Sequence, residues 1–463
     1  MSAPDRSWTI APTLLWFGGL VIAGLWLFDS DLHALADRLT SRREDGPAGP
    51  AITARPVVVA DVASDDPDDA PGVPAVSASG DRASGGALED TCLEGTPAAC
   101  KRWAMDGFYR AVAAEEAGKL GRAVRVSWYG DSVVATDAIP GRLRTRLQAD
   151  LGDGGPGFVF AIPPHRFVHH EGITRSQSGT WLTHAVSTQP AGDAIYGVGG
   201  SSTETAGGSA TIKLVHGKAT AVALHYLAQP GGGTAIIKGD GAELVRAETR
   251  ADAKQSGMAT ATVAAGASKF AIETKGKVRL FGLALENASG VTVDNLGIVS
   301  VNVKNFTHRE SASWASELEH RRADLILIMI GANEAQWLGP ADADTKAYAA
   351  NYGKVLAPIR KARPDATCLV VSPTDQAEAK DGGYPSRPVM PVLVEAQRKA
   401  AKANGCAFFS TYDWMGGKGS AAKWFKKGLV GSDFQHLSRK GANKMADAVH
   451  AALMAGYRSY ARK

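Results

Sequence analysis

Residues 324–330 read Asp-Leu-Ile-Leu-Ile-Met-Ile. A strand with one wet face alternates polar and apolar residues, so a continuous apolar run belongs to a strand covered on both faces. Helices that cross over between parallel strands give that cover. The flanking sequence offers them. Helical spacing predicts helices over Ala98–Leu120, Ala138–Leu151, Thr345–Ala362, Val389–Asn404 and Lys440–Met454. Strand-like runs lie between them at Val124–Trp128, Cys368–Ser372 and Ala407–Thr411. Such alternation predicts an α/β body with a parallel sheet flanked by helices.

A different texture interrupts this pattern. Residues 178–290 are rich in Gly, Ala, Thr and Val, with short alternating runs such as Ala221–Tyr226, Lys269–Glu273 and Val278–Glu286. Short strands at this spacing, with the turn signal Pro230-Gly231-Gly232-Gly233, predict a β-sandwich inserted into the α/β body. Val291–Leu296 then re-enters the main sheet.

The first 90 residues belong to neither. Pro12–Phe28 is a 17-residue stretch without a charge, short for a membrane span and long for the core of a signal peptide. Ala34-Leu35-Ala36 offers a cleavage site, so an uncleaved anchor and a cleaved signal are both open; either exports the body. Residues 41–90 are rich in Pro, Ala, Gly, Ser and Asp and cannot bury enough apolar surface to fold, which predicts a disordered tether. The expected organisation is an anchor segment (1–40), a linker (41–90), the α/β domain in two parts (91–177 and 291–463), and the inserted sandwich (178–290).

Charge is split along the chain. Residues 1–90 hold 6 Arg, no Lys and 14 acidic residues; the remainder holds 45 basic and 33 acidic ones. A mildly basic body suits anionic polymers, but no basic run or nucleic-acid motif is present, so no nucleic-acid partner is expected. The four cysteines fit export. Cys92 and Cys100 are close enough to bridge a loop, and Cys368 and Cys406 adjoin strand-like runs that can be parallel neighbours; four buried thiols are the alternative. No Cys/His spacing resembles a zinc site, and His165, His169 and His170 lack a carboxylate to complete a ligand set. Neither a metal nor a cofactor is expected.

Chemistry concentrates at strand ends. Gly130-Asp131-Ser132 follows the first strand, Asn295–Ser300 the re-entering strand, and Gly331-Ala332-Asn333-Glu334 the apolar run. Asp433-Phe434-Gln435-His436 precedes the last helix. In an open parallel sheet the carboxyl ends of the strands share one edge, where ligands bind. Ser132 offers a hydroxyl that needs a base, and the imidazole of His436 can take its proton. Asp433, three residues earlier, can hold the other ring nitrogen. The Asn333 amide and the backbone N–H groups of Ser132 and Ser300 can donate to an oxyanion. Asp375 also follows a strand, and Trp414 and Trp424 are candidates for stacking on sugars or for buried packing.

Gly-Asp-Ser, Gly-x-Asn and Asp-x-x-His in this order resemble the SGNH (GDSL) hydrolases over about residues 120–463. Gly152–Phe158, Val293-Asp294-Asn295-Leu296-Gly297, Asn333-Glu334-Ala335 and Met415–Ser420 ahead of Trp424 resemble one branch. That branch comprises the exported peptidoglycan or polysaccharide O-acetylesterases with an inserted carbohydrate-module-like β-domain. The resemblance implies an SGNH-type, flavodoxin-like sheet. It also implies Ser132 as nucleophile, Asp433 and His436 as its partners, and Asn333 in the oxyanion hole. Where the family has an oxyanion glycine this chain has Ser300, which keeps an N–H but is strained if φ there is positive. The implied function is membrane-tethered, extracytoplasmic removal of acetyl groups from a cell-envelope glycan, with residues 12–28 in the inner-membrane lipid. An O-acetyltransferase using the same triad, and a non-catalytic glycan-binding protein, are the alternatives.

Overall fold

The computed structural model describes residues 83–84 and 88–462. Its central sheet has seven strands: β1 (Ala83–Ser84), β2 (Leu88–Glu89), β3 (Val124–Gly130), β4 (Val291–Gly297), β5 (Leu325–Met329), β6 (Thr367–Val371) and β7 (Ala407–Phe409). Their order across the sheet is β1-β2-β7-β6-β5-β3-β4. The five strands from β3 to β7 are mutually parallel, whereas β2 pairs antiparallel with β7 and β1 with β2. The sheet is therefore mixed, which corrects the all-parallel expectation at one edge. Leu88 is buried there, so the folded body reaches back into the segment expected as linker. Two short antiparallel strands cover the open backbone of β7, a common way to blunt a sheet edge.

The helices that cover the sheet are α1 (Asp106–Glu116), α2 (Ser132–Ala135), α3 (Ala138–Leu151), α4 (Ser311–Arg321), α5 (Asp342–Ala362), α6 (Met390–Ala403) and α7 (Arg439–Ala461). Strand β5 explains the layering. Leu325, Leu327 and Met329 pack on the face shared with α1, α3 and α7, while Ile326 and Ile328 pack on the face shared with α4, α5 and α6. Helix α1 is shorter than its sequence pattern. The Cys92–Cys100 disulfide closes a small hairpin over its expected first turns, and Gly118, at φ +64°, follows its end. A second disulfide joins Cys368 on β6 to Cys406, the residue before β7.

The inserted segment forms two antiparallel sheets packed around one apolar core that includes Ile212, Leu224, Ile237, Phe270 and Leu280. Its first strand, Ile173–Gly179, starts five residues before the expected boundary at 178. That strand lies at a sheet edge and is mostly exposed, so its sequence lacks the alternation that marks a half-buried strand. Gly157–Val159, from the first part of the α/β body, also pairs with the sandwich strand Val278–Glu286.

A buried ionic network joins insert and sheet. The Asp294 carboxylate on β4 accepts from Ser127 Oγ (2.6 Å), Phe158 N (2.7 Å), Arg321 Nε (2.7 Å) and Arg321 Nη2 (2.7 Å). Arg321 also reaches Glu286 Oε1 at 2.6 Å, and Arg125 reaches Glu286 Oε2 at 2.6 Å. Burial alone would raise the Asp294 pKa, but the Arg321 charge and hydrogen bonds hold it below the usual carboxylate range. Gly157 approaches this carboxylate so closely that a Cβ there would lie 2.5 Å from Asp294 Oδ1.

Residues 12–28, the cleavage site at Ala34–Ala36 and most of the 41–90 linker lie outside the described residues. Among the described residues no helix is long and apolar enough to cross a membrane.

Asp294→Ala strips Arg321 of its bidentate partner and leaves a buried guanidinium undercompensated. The expected loss is about 3–5 kcal/mol of unfolding free energy, measured by denaturant titration; a loss under about 1 kcal/mol would show the network to be dispensable.

Candidate active site

The turn after β3 is forced by local packing. Gly130 ends the strand where a Cβ would lie 2.2 Å from Val134 Cγ2, so only glycine lets α2 fold back this tightly. Asp131 caps α2, its carboxylate accepting from Val133 N at 3.0 Å. Ser132 is the first residue of that helix, and its N–H has no partner among the described residues.

Ser132 Oγ lies 2.7 Å from His436 Nε2, and His436 Nδ1 lies 2.6 Å from Asp433 Oδ2. Asp433 Oδ1 also accepts from the N–H groups of Gln435 and His436, each at 3.0 Å. Burial raises the Asp433 pKa, yet these donors and the imidazole outweigh it and leave the carboxyl below its ordinary value. The His436 side chain is 44% exposed and that of Asp433 51%, so the pair lies open to solvent. A hydroxyl, an imidazole and an ionised carboxylate in this sequence can transfer a proton away from the serine and return it.

The loops beside Ser132 come from its two neighbouring strands. Gly297 of β4 is in register with Gly130, and Ile298 N donates to Gly130 O at 2.9 Å, so the Ser300 turn adjoins the Ser132 turn. Ser300 has φ +62°, the left-handed conformation that favours the glycine it replaces. Its N–H has no partner among the described residues. Asn333, after β5, donates Nδ2–H to Val301 O at 2.7 Å, which ties it to the Ser300 turn and leaves its second amide hydrogen uncommitted by that bond.

Several contributors escaped the sequence reading. Asn295 donates to Ala135 O and His169 O, both at 3.0 Å, and so holds the end of the helix that begins with Ser132. Glu334 accepts from Val303 N at 2.6 Å, just beyond the Ser300 turn. Gln336 reaches Gln435 Oε1 at 2.9 Å and couples the Asn333 loop to the Asp433–His436 loop. The available signal was polarity inside a buried strand for Asn295, and directly after one for Glu334. Other candidates do structural work. His170 is buried, with Nε2 3.1 Å from Pro156 O, and burial pushes its pKa down to about 3. Asp375 Oδ2 accepts from Ser386 Oγ and Ala421 N and holds two loops together. Trp414 and Trp424 pack edge to face and are partly buried.

Three parallel strand ends therefore converge where strand order reverses about β3, which is the position expected of an active site in an open α/β sheet. Sheet order, Gly-Asp-Ser turn, Gly-x-Asn loop and Asp-x-x-His loop together resemble the arrangement of an SGNH-type hydrolase. Residues 263–444 match the model of the GDSL-like Lipase/Acylhydrolase family. The match starts inside the insert and omits the Ser132 segment, which the insert separates from the rest of the domain. Over that stretch the chain is similar to the GDSL-like acylhydrolases, which supports an enzyme acting on ester bonds. It is similar to a solved peptidoglycan O-acetylesterase, with a TM-score of 0.66 at 22% identity over 76% of this chain and 96% of that one. The acetyl xylan esterase AlAXEase (TM-score 0.27, 18% identity) covers 35% of this chain and 80% of its own. A mutant of the Geobacillus stearothermophilus acetylxylan esterase Axe2 (TM-score 0.26, 20% identity) covers 35% of this chain and 73% of its own. No curated protein matches.

Two buried carboxyls near the site generate a pH dependence. Burial pushes Asp131 up to about 6 and Glu334 up to about 7, and the Asp131 charge adds to the shift of Glu334. The folded state thus holds protons that the unfolded chain has released. The associated stability is complete below about pH 4 and is lost as pH rises through 7. Glu334→Gln keeps an oxygen for Val303 N and abolishes the titration. Thermal melts should show the variant more stable than wild type at pH 8, by roughly 1–3 kcal/mol, with the difference vanishing near pH 4. Equal pH slopes would refute this.

Ser300→Gly should relieve the left-handed serine and stabilise by about 1 kcal/mol net of the extra unfolded-state entropy. A destabilised variant would mean that the Ser300 side chain contributes more than its conformation costs.

Proposed function

We propose that this enzyme is an exported serine esterase that removes O-acetyl groups from a cell-envelope glycan, peptidoglycan or another polysaccharide. The observation that carries the chemistry is the continuous relay from Asp433 through His436 to Ser132, at 2.6 and 2.7 Å. His436 Nε2 takes the Ser132 proton as Oγ bonds to the acetyl carbonyl carbon. The carbonyl oxygen becomes an oxyanion, met by the N–H groups of Ser132 and Ser300 and the amide of Asn333. Collapse breaks the bond to the sugar oxygen, and His436 returns the proton to that leaving hydroxyl. Water then repeats the sequence on acetyl-Ser132, releasing acetate and restoring the serine. Asp433 stays ionised throughout and steadies the imidazolium.

A glycan substrate is supported by the shape of the site. The triad is open to solvent, as a polymer chain requires. Trp337, one residue past Gln336, is 62% exposed. Tyr384, 48% exposed, packs with its ring centroid 4.7 Å from that of Phe434 beside Asp433. Flat aromatic surfaces of this kind suit sugar rings. A cavity of about 500 Å³ lies between the segments that follow Ser132 and His436, lined by Thr136, His169, Arg175 and Arg439 among others. The solved peptidoglycan O-acetylesterase points to the same class of substrate. Export is supported by the two disulfides and by the uncharged segment 12–28, which would hold the enzyme in the inner membrane with its catalytic domain in the periplasm.

The full-length chain should release acetate from p-nitrophenyl acetate and from O-acetylated peptidoglycan, and Ser132→Ala should reduce both to background. Asn333→Ala should lower kcat by about 10²–10³ with a smaller change in KM. Undiminished activity in Ser132→Ala would remove the nucleophile assignment; activity on the nitrophenyl ester but on no acetylated glycan would remove the substrate class.

A further inference from the structure

Away from the triad, one more constellation of ligating side chains assembles where insert and hydrolase domain meet. His225 stands on the sandwich strand Ala219–Ala228, and Glu317 and His320 stand one turn apart on α4. One ligand atom from each residue lies within 4.8 Å of the other two. His225 Nδ1 is 3.1 Å from Glu317 Oε2, and His320 Nδ1 is 3.4 Å from Glu317 Oε1. Neighbouring ligands around a tetrahedral ion with bonds of about 2.0–2.1 Å are separated by roughly 3.3 Å. We propose that His225, Glu317 and His320 bind a divalent transition-metal ion of the zinc type, which fastens the inserted sandwich to the hydrolase domain.

Charge balance gives the strongest argument. Glu317 is fully buried, and among the described residues no lysine or arginine pairs with it; its ion-pair partners are the two imidazoles. Two other fully buried carboxylates have a guanidinium, Asp294 with Arg321 and Asp137 with Arg144, whereas burial raises the pKa of Asp131 and Asp375, which have none among the described residues. A buried carboxylate without a permanently charged partner is expensive, and imidazoles compensate its charge only when protonated. A divalent ion compensates it, taking one ligand atom from each of the three side chains. Two imidazoles and one carboxylate form a familiar zinc set, with a fourth position left for water.

The surroundings meet the further requirements of such a site. Val198 N donates to Glu317 Oε2 at 3.3 Å and orients the carboxylate. The Phe158 ring packs edge-on to His225, with centroids 5.5 Å apart, and forms an apolar wall. His320 is 25% exposed, giving an ion a way in. None of the three hydrogen-bonds to Ser132, Asp433 or His436, so the ion would act on domain docking and not on the ester.

The test uses the full-length chain without a polyhistidine tag, dialysed against zinc and then against buffer. Mass-spectrometric metal analysis should find about one zinc per chain, and cobalt(II) should give the visible absorption of a tetrahedral site. A chelator should lower the melting temperature and zinc should restore it. His320→Gln, chosen because its side chain is partly exposed and the variant should fold, should weaken metal binding at least about tenfold. Its p-nitrophenyl acetate hydrolysis reports whether the variant has folded. Substoichiometric metal, with a melting temperature unaffected by chelator or zinc, overturns the proposal and leaves a protonated imidazole as the partner of Glu317. Unchanged metal affinity in a folded His320→Gln overturns it as well.

Discussion

A single carboxylate governs how this molecule is put together. Asp294 sits in the middle of a fully buried strand, and its two oxygens take four hydrogen bonds, enough to fill them. One comes from β3, one from the segment leading into the insert, and two from α4. Burying an ion this deeply is tolerable only with such complete pairing. The pairing therefore fixes three elements at once, each from a different part of the chain. Asn295, the next residue, points to the opposite face of the strand and holds α2 by its last carbonyl, at 3.0 Å. Two consecutive side chains on β4 thus fix the inserted domain and the helix that begins with Ser132.

The acids around the site divide into two groups with opposite physics. Asp433 remains partly in water and accepts several hydrogen bonds, so its charged form is favoured. Asp131 and Glu334 are sealed beneath the strand ends, where burial favours the neutral form. Only the first kind can stabilise an imidazolium as it appears. The second kind ties loops together: Asp131 caps α2, and Glu334 holds the backbone beyond the Ser300 turn. The rigidity of the site is thus built from groups that do not take part in the relay, which leaves His436 and Asp433 exposed without leaving them loose.

What could be read from the sequence follows from how local each signal is. DLILIMI announces a two-faced strand because its seven residues carry the whole message. Asp433 and His436 are legible because three residues and one turn separate them, and Ser132 because a glycine turn directly follows a strand. The bridge between Cys368 and Cys406 was one of two open possibilities until β6 and β7 proved adjacent. The edge strands β1 and β2 were invisible, since they lie in Asp- and Gly-rich sequence and are strands only because β7 offers them an edge. Glu334, Gln336 and Gln435 matter through partners on other loops, which no periodicity predicts. Ser300 was recognisable as a departure from a glycine, but its left-handed backbone had to be seen.

Ser132 and His436 are separated by 304 positions in the chain. Shortly after the histidine comes α7, the helix that packs against α1 and α3. During synthesis, then, the serine turn and the entire sandwich can emerge and fold while the imidazole is still missing. The hydroxyl has no base until the final helix docks. Pairing of the two side chains is therefore a late event in the order in which the chain emerges, whatever has already folded around the serine.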